Sequence, residues 1–270
     1  MNSLPPIESE RLVAALVKGA ALELYLTPKP GLVDLLDNGS HPDLSLPLME
    51  RSILYLADYL GELNCSLRKG EAFSRQIEIG KRAEQAMFQS LGTNTHNGYL
   101  FLSGLVLVAG HHTPSRREEA LRRTIASLAD EFFAGEDREK TTNGGEVRRR
   151  FQAGGVVREA LDGFPSLFEE AVPAYRATVA GGGGFRRASF AMLARLMQTV
   201  EDTTTLRRGG RVGLERIRRD GRELEQTVGD DAASIRLLLR LNREYTRDNL
   251  TMGGVADMLG LAYGYLLAQW

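Results

Sequence analysis

The sequence is poor in the residues that most often build metal or redox sites. It contains one cysteine, Cys65, so no disulfide can form within the chain and no C-x-x-C pair is present to hold a structural zinc. No H-E-x-x-H motif occurs, and the few histidines are too scattered to indicate a histidine-built zinc site. These histidines are His41, His96, His111 and His112.

An excess of one charge is also missing. The net charge is −1 with 26% charged residues, which gives no sign of a nucleic-acid or membrane partner. No apolar run approaches the ~18 residues of a membrane span. The N-terminus carries Glu8 and Glu10 where a signal peptide would be basic. These absences predict a soluble cytoplasmic protein, and they leave open whether it forms a homodimer.

The common nucleotide-binding loops are absent as well. No G-x-x-x-x-G-K-[ST] phosphate loop is present. The glycine run at 181–184 lacks both the preceding strand and the spacing of a dinucleotide-binding fingerprint. A phosphate-loop or Rossmann-type nucleotide site is therefore excluded.

Helical periodicity is present along most of the chain. Apolar residues recur at intervals of three and four within 13–24 and 49–63, and no run alternates as a strand would. The proline and glycine breaks are too short to be domain linkers. The sequence predicts an all-α protein in which residues 1–270 form one compact domain of roughly ten helices. Gly209–Gly210 and Gly253–Gly254 are each predicted to open a helix.

Polar residues and glycines crowd into motifs at the breaks in this pattern. The motifs are T-P-K-P-G-L-V-D at 27–34, N-G-S-H-P-D at 38–43, N-T-H-N-G at 94–98, D-T-T-T-L-R-R-G-G at 202–210 and N-L-T-M-G-G-V-A-D at 249–257. In order and composition they resemble the triphosphoribosyl-dephospho-CoA synthase family, and 155–165 resembles a further family segment. The lysine of the family's N-T-H-K-G is Asn97 here, and the serine and proline of its S-P-G-G are Thr251 and Met252.

The resemblance implies a pentosyl transfer. In the family's reaction the 2′-hydroxyl of dephospho-CoA attacks the anomeric carbon of the ATP ribose, adenine leaves, and the triphosphate stays on the transferred sugar. The product is the prosthetic-group precursor of citrate lyase or malonate decarboxylase. ATP and dephospho-CoA are then the substrates. Mg²⁺ is the expected cofactor, because about four negative charges on a triphosphate need compensation when buried.

The same resemblance assigns candidate roles to the polar residues of the motifs and of the neighbouring E-Q-A-M-F segment at 84–88. The candidate Mg²⁺ ligands are Asp34, Asp43, Glu84, Asp202 and Asp257. The candidate substrate and phosphate ligands are Lys29, Asn38, His41, Asn94, Thr95, Arg207, Arg208, Gly209, Gly210, Asn249, Gly253 and Gly254. The candidate catalytic residues are His96, Asp34 and Glu84. A histidine would transfer protons, and a carboxylate would stabilise an oxocarbenium-like transition state.

Each assignment has an alternative. The aspartates lie near predicted helix ends, where they would also serve as caps, and Asn38, Asn94 and Asn249 would also serve as turn residues. Two other functions stay open. One is transfer of a phosphoribosyl group from ATP to a different acceptor, which Asn97 and Met252 would reflect. The other is a nucleotide-binding relative without catalysis.

Overall fold

The computed structural model describes residues 6–93, 95–113, 117–135, 147, 150–151 and 153–268. Within these ranges the chain forms eleven α-helices and one π-helical turn, and no strand, which confirms the predicted all-α class. The elements are α1 (Pro6–Tyr25), α2 (Leu46–Arg68), α3 (Phe73–Leu91), α4 (Asn97–His112), α5 (Glu118–Gly135), α6 (Gly155–Leu161), the π-helical turn (Ser166–Ala171), α7 (Val172–Ala180), α8 (Phe185–Thr199), α9 (Thr203–Thr227), α10 (Asp231–Arg247) and α11 (Gly253–Ala268).

Two helices without a polar face form the centre of the fold. α4 contains no Asp, Glu, Lys or Arg, and α11 contains only Asp257. A helix that is apolar on all sides has to be buried by neighbouring elements on all sides. α4 accordingly packs against α1, α2, α3, α5 and α11, while α11 packs against α1, α4, α8, α9 and the π-helical turn. No described helix is both long and apolar enough to cross a bilayer.

The crossing of α1 and α11 depends on glycine. A Cβ atom on Gly19 would lie 2.4 Å from the carbonyl oxygen of Gly260 and 2.6 Å from the amide nitrogen of Gly264. Backbones can approach this closely only where no side chain intervenes. On the same face, the Cβ of Glu23 lies 3.5 Å from the position that a Cβ on Gly260 would take. The crossing therefore places Glu23 against α11, on which Asp257 also lies.

One predicted helix start is wrong. Gly253 opens α11 as expected, but α9 begins at Thr203, well before Gly209 and Gly210. The Asp202 carboxylate accepts a hydrogen bond from the Thr205 amide at 2.8 Å and so caps α9 at this earlier point. Gly210 has φ 59° and ψ −160°, a conformation open to glycine alone, and it marks a kink inside the helix.

Candidate active site

A cavity of about 420 Å³ opens where the motifs meet. Its wall contains residues of α1, of the loop that follows α1, of the segment before α4, and of the first turns of α4, α9 and α11. His41 and Arg208, which are 167 residues apart, are in contact at this wall. The polar motifs therefore cluster in space because each one lies at a helix end that faces the same opening.

The structure separates the predicted site residues into two groups. Those that line the cavity are His41, Asp43, Thr95, His96, Arg207, Arg208, Gly253 and Asp257. Those that lie outside its wall are Lys29, Asp34, Asn38, Glu84, Asp202, Gly209, Gly210, Asn249 and Gly254. Asn94 lies outside the described residues. The catalytic and metal-binding roles of both groups stay predictions.

Two enclosed carboxylates, Glu23 and Asp257, contribute to the cavity wall. Burial raises the pKa of Asp257 well above its usual range, and the negative charges of Glu23 and Asp202 raise it further. The glycine of the N-T-H-N-G motif makes room for this carboxylate, because a Cβ on Gly98 would lie 2.0 Å from Asp257 Oδ2. Asp257 forms no ion pair with any residue in the described part of the chain.

Sequence reasoning did not assign a role to Glu23. The residue is 4% exposed and forms a buried ion pair with Lys29, which also donates a hydrogen bond to the Glu23 carbonyl oxygen. Burial raises the pKa of the Glu23 carboxyl, and the Lys29 ammonium opposes that rise. The signal for this site was a single acid in the otherwise apolar run A-A-L-E-L-Y-L, directly before the first motif.

Two predicted aspartates outside the wall organise backbone amides. Asp34 accepts hydrogen bonds from the amides of Lys29 at 2.8 Å and Leu36 at 2.7 Å, one at each carboxylate oxygen. Asp202 accepts from Thr205 at 2.8 Å and from Val255 at 3.0 Å, again one at each oxygen. Asp202 therefore links the starts of α9 and α11, and the alternative role as a helix cap fits these contacts.

His96 lies at the cavity wall with one free ring nitrogen. Its Nδ1 is hydrogen bonded to the Ser52 hydroxyl, which donates to the Met49 carbonyl oxygen at 2.8 Å. Since that hydroxyl has one proton, Nδ1 carries the imidazole proton and Nε2 is left bare. Nε2 is buried and has no hydrogen-bond partner among the described residues. Burial and the Lys29 charge lower the pKa of His96 to about 3, so the ring is neutral.

The neighbouring arginines of the D-T-T-T-L-R-R-G-G motif have different environments. Arg208 donates to the Ser40 carbonyl oxygen at 2.6 Å and to Asn249 Oδ1 at 2.9 Å, and it contacts His41 Nδ1 at 3.3 Å. Arg207 is exposed at the cavity and has no hydrogen bond or ion pair with any described residue. Arg208 thus holds loops together, while the Arg207 guanidinium is unpartnered within the described ranges.

Comparison with known proteins shows the family of the chain. A family model described as ATP:dephospho-CoA triphosphoribosyl transferase matches residues 9–269. The chain belongs to this family. No solved structure matches the chain.

Individual relatives of the transferase family match over most of their length. A Pseudomonas aeruginosa protein is 35% identical over 249 residues, which cover 88% of this chain and 83% of the relative. A Pseudomonas fluorescens protein is 32% identical over 274 residues, with 96% and 91% covered. A Vibrio cholerae protein is 32% identical over 271 residues, with 94% and 87% covered. Each is named a probable 2-(5″-triphosphoribosyl)-3′-dephosphocoenzyme-A synthase.

Asn97 replaces the lysine of the transferase-family motif, and its surroundings suit an amide. It lines the cavity, and its Nδ2 donates to Glu84 Oε1 at 2.7 Å. Glu84 lies outside the cavity but lines a groove beside it, and Asn97 belongs to both walls. The substitution therefore replaces a cation at the cavity with a neutral donor that holds Glu84.

The carboxylates of this family member are compatible with a metal that arrives with its substrate. Within the described ranges, no cluster of three or more His, Cys, Asp or Glu side chains is placed to hold an ion. Mg²⁺ at phosphate sites usually takes one or two protein carboxylates together with phosphate oxygens and water. Asp43 and Asp257 are predicted ligands that do line the cavity.

Proposed function

We propose that this protein transfers the 5-triphosphoribosyl group of ATP to the 2′-hydroxyl of 3′-dephospho-CoA and releases adenine. The observation that carries the proposal is that the family motifs meet at one cavity. Among the described residues, its wall contains a guanidinium without a partner, a carboxylate without an ion pair and an imidazole nitrogen without a hydrogen bond. The names of the relatives support the same reaction. The product would serve as the prosthetic-group precursor of citrate lyase or malonate decarboxylase.

The triphosphate would bind at the end of the cavity where α9 and α11 begin. Thr203, Thr204 and Gly253 line the wall there, and free amides at helix N-termini favour phosphate oxygens. Arg207 adds a positive charge from the same end. Its guanidinium has no partner among the described residues, and a guanidinium can form charge-assisted hydrogen bonds to phosphate.

Mg²⁺ would be held by Asp257 together with Asp43. An enclosed carboxylate without a cationic partner is costly, so Asp257 fits a site that a cation completes. Asp43 is exposed at the cavity wall, where it accepts a hydrogen bond from Thr93 at 2.7 Å. When bound, Mg²⁺ neutralises part of the triphosphate charge.

His96 would accept the proton that the acceptor hydroxyl loses and pass it to the departing adenine. A bond forms between the acceptor 2′-oxygen and C1′ of the ATP ribose, and the bond from C1′ to adenine breaks with its electron pair leaving on adenine. Nε2 of His96 takes the hydroxyl proton and returns it to the departing adenine, which leaves neutral. Burial and Lys29 depress the pKa of His96, and the charge of a bound triphosphate would work in the opposite direction.

The direct test is to incubate the purified protein with ATP, dephospho-CoA and Mg²⁺ and to measure free adenine by chromatography. We expect adenine release that requires all three components, together with a product whose mass is the sum of dephospho-CoA and triphosphoribose less water. If adenine is released only with another acceptor, that acceptor takes the place of dephospho-CoA in the proposal. Tight ATP binding without adenine release under any of these conditions would show a nucleotide-binding protein without catalysis.

A further inference from the structure

A narrow groove of about 110 Å³ runs between α3 and α4, away from the cavity. At one end its wall contains Glu84 of α3 and Asn97 of α4, and Asn97 also lines the cavity. At the other end its wall contains Phe73 of α3 and Val108 of α4. The cavity and the groove are therefore adjacent, and Asn97 belongs to the walls of both.

The groove is long relative to its volume. Its lining residues extend from position 97 to position 108 along α4, and eleven residues of α-helix rise about 16 Å. Side chains such as Tyr59, Leu63 and Phe101 make most of the lining apolar. A thin, mostly apolar chain therefore follows the shape of this groove better than a compact ring does.

A buried hydrogen-bond acceptor lies in this apolar lining. Gln76 is 4% exposed, and its Nε2 donates to the Glu71 carbonyl oxygen at 3.1 Å. Its Oε1 is buried and has no hydrogen-bond partner in the described part of the chain. A buried amide oxygen without a partner costs free energy, which a ligand N–H group would recover.

We propose that this groove binds the pantetheine arm of the acceptor and that Gln76 Oε1 accepts a hydrogen bond from an amide N–H of that arm. The proposal rests on dephospho-CoA as the acceptor. The pantetheine arm has about twelve chain atoms, as many as four amino-acid residues, and so spans roughly 14 Å when extended. It is narrow, carries two amide N–H groups, and projects from the far side of the diphosphate, away from the reacting 2′-hydroxyl.

Gly80 offers a matched pair of substitutions to test the proposal. It lies in α3 on the groove wall, and a Cβ there would meet only Tyr59, its hydroxyl at 3.7 Å and a ring carbon at 3.9 Å, which is ordinary contact. Gly80→Ala is therefore the control, because it has a similar effect on the helix without filling the groove. Gly80→Leu places three more carbons in the groove. Gln76→Met removes the acceptor while keeping the side-chain length.

The measurement is calorimetric titration of each folded variant with dephospho-CoA and with ADP, which has the same 2′-hydroxyl but no arm. We expect Gly80→Leu to weaken dephospho-CoA binding by about 10-fold or more and Gln76→Met by about 3- to 10-fold, with ADP binding within about 2-fold of wild type. Equal affinity of the wild type for ADP and dephospho-CoA would overturn the proposal. So would variants that leave dephospho-CoA binding unchanged, or that weaken ADP binding equally.

The adenine assay separates this inference from the proposed function. If the wild type releases no adenine with dephospho-CoA, the proposed transfer is wrong. If the wild type releases adenine and the groove variants use dephospho-CoA as efficiently as wild type, only the groove assignment is wrong. If Gly80→Leu does not fold, as judged by circular dichroism, the result with Gln76→Met decides.

Discussion

The cavity and the groove share Asn97, but they are built in different ways. The cavity is formed by loops and helix N-termini, and its wall contains carboxylates, imidazoles and guanidinium groups. The groove is formed by the facing sides of α3 and α4 together with residues of α2 and α5, and its wall is mainly aliphatic and aromatic. Chemistry at an anomeric carbon needs the first kind of surface, and recognition of a long neutral arm needs only the second.

This difference explains why the cavity could be approached from the sequence and the groove could not. Turns alone do not require so many polar residues and glycines at so many helix ends, so the motifs indicated a functional site. Phe73 and Ile77 follow the ordinary spacing of an amphipathic helix packed on its neighbour, and Leu100 lies in α4, which is apolar on all sides. Nothing in that spacing shows that the two helices stand far enough apart to leave a groove.

The largest effect should follow from changing His96. His96→Ala removes the only proton acceptor that we assign to the transfer, and general acid–base groups contribute about 10²- to 10⁴-fold to rates. We expect kcat for adenine release to fall by at least about 10²-fold while ATP binding changes little. Ser52→Ala should lower kcat by a smaller factor, because it removes the hydroxyl that fixes the ring tautomer. Equal rates for His96→Ala and wild type would remove His96 from the mechanism.

The next effect should follow from Asp257→Asn. We expect kcat/KM for ATP to fall by roughly 10²-fold, the usual cost of losing one electrostatic contact to a developing charge, with a weaker response to added Mg²⁺. Glu78→Gln is the control, because it removes the charge of an exposed carboxylate of α3 that lies outside the cavity wall. A response of Asp257→Asn to Mg²⁺ identical to that of wild type would contradict the assignment.

Asp257→Asn should also change the pH dependence of folding stability. The pKa of Asp257 is raised in the folded protein, so folding is favoured by protonation and disfavoured as pH rises through the folded pKa. The melting temperature of Asp257→Asn relative to wild type should therefore increase as the pH rises from about 4, near the unfolded pKa. Thermal unfolding followed by circular dichroism at several pH values measures this difference. A difference that shrinks with rising pH would contradict the sign.

A smaller loss should follow from Arg207→Ala. Hydrogen bonds to charged groups contribute about 1.5 to 3 kcal/mol, so the KM for ATP should rise by about 10- to 100-fold with folding stability unchanged. Arg222→Ala is the matched control, since Arg222 is exposed on the same helix but outside the cavity. Arg208→Ala should instead lower the melting temperature, because Arg208 holds Ser40 and Asn249.

The smallest effect should follow from Asn97→Lys, which restores the family's lysine. Glu84 already accepts a hydrogen bond from Asn97, and we expect it to pair with the new ammonium group. Partly exposed ion pairs contribute about 0 to 1 kcal/mol, so kcat/KM for ATP should stay within about 5-fold of wild type. A rise of more than about 10-fold would show that the lysine reaches phosphate and that this chain lacks a functional cation.

The sequence predicted the all-α class and many of the cavity residues, but not how each acid is used. Asp34 and Asp202 come just before amides that their carboxylates can reach two or three residues later. Asp257 lies within α11, where the amides are already paired within the helix, so its carboxylate accepts instead from the Tyr99 backbone amide of α4. Glu23 was missed because a helix interior shows no turn chemistry, and only the crossing with α11 places it at the cavity.

The glycine crossing of α1 and α11 sets the distance between these helices and therefore between the parts of the cavity wall that they carry. Ordinary carbon contacts need about 3.5 Å, whereas a methyl group at Gly19 would begin 2.4 Å from the opposing backbone. The two helices would have to separate by about 1 Å, and Glu23 and Asp257 would separate with them. A single methyl group that touches no substrate would thus widen the part of the cavity wall that Glu23 and Asp257 form.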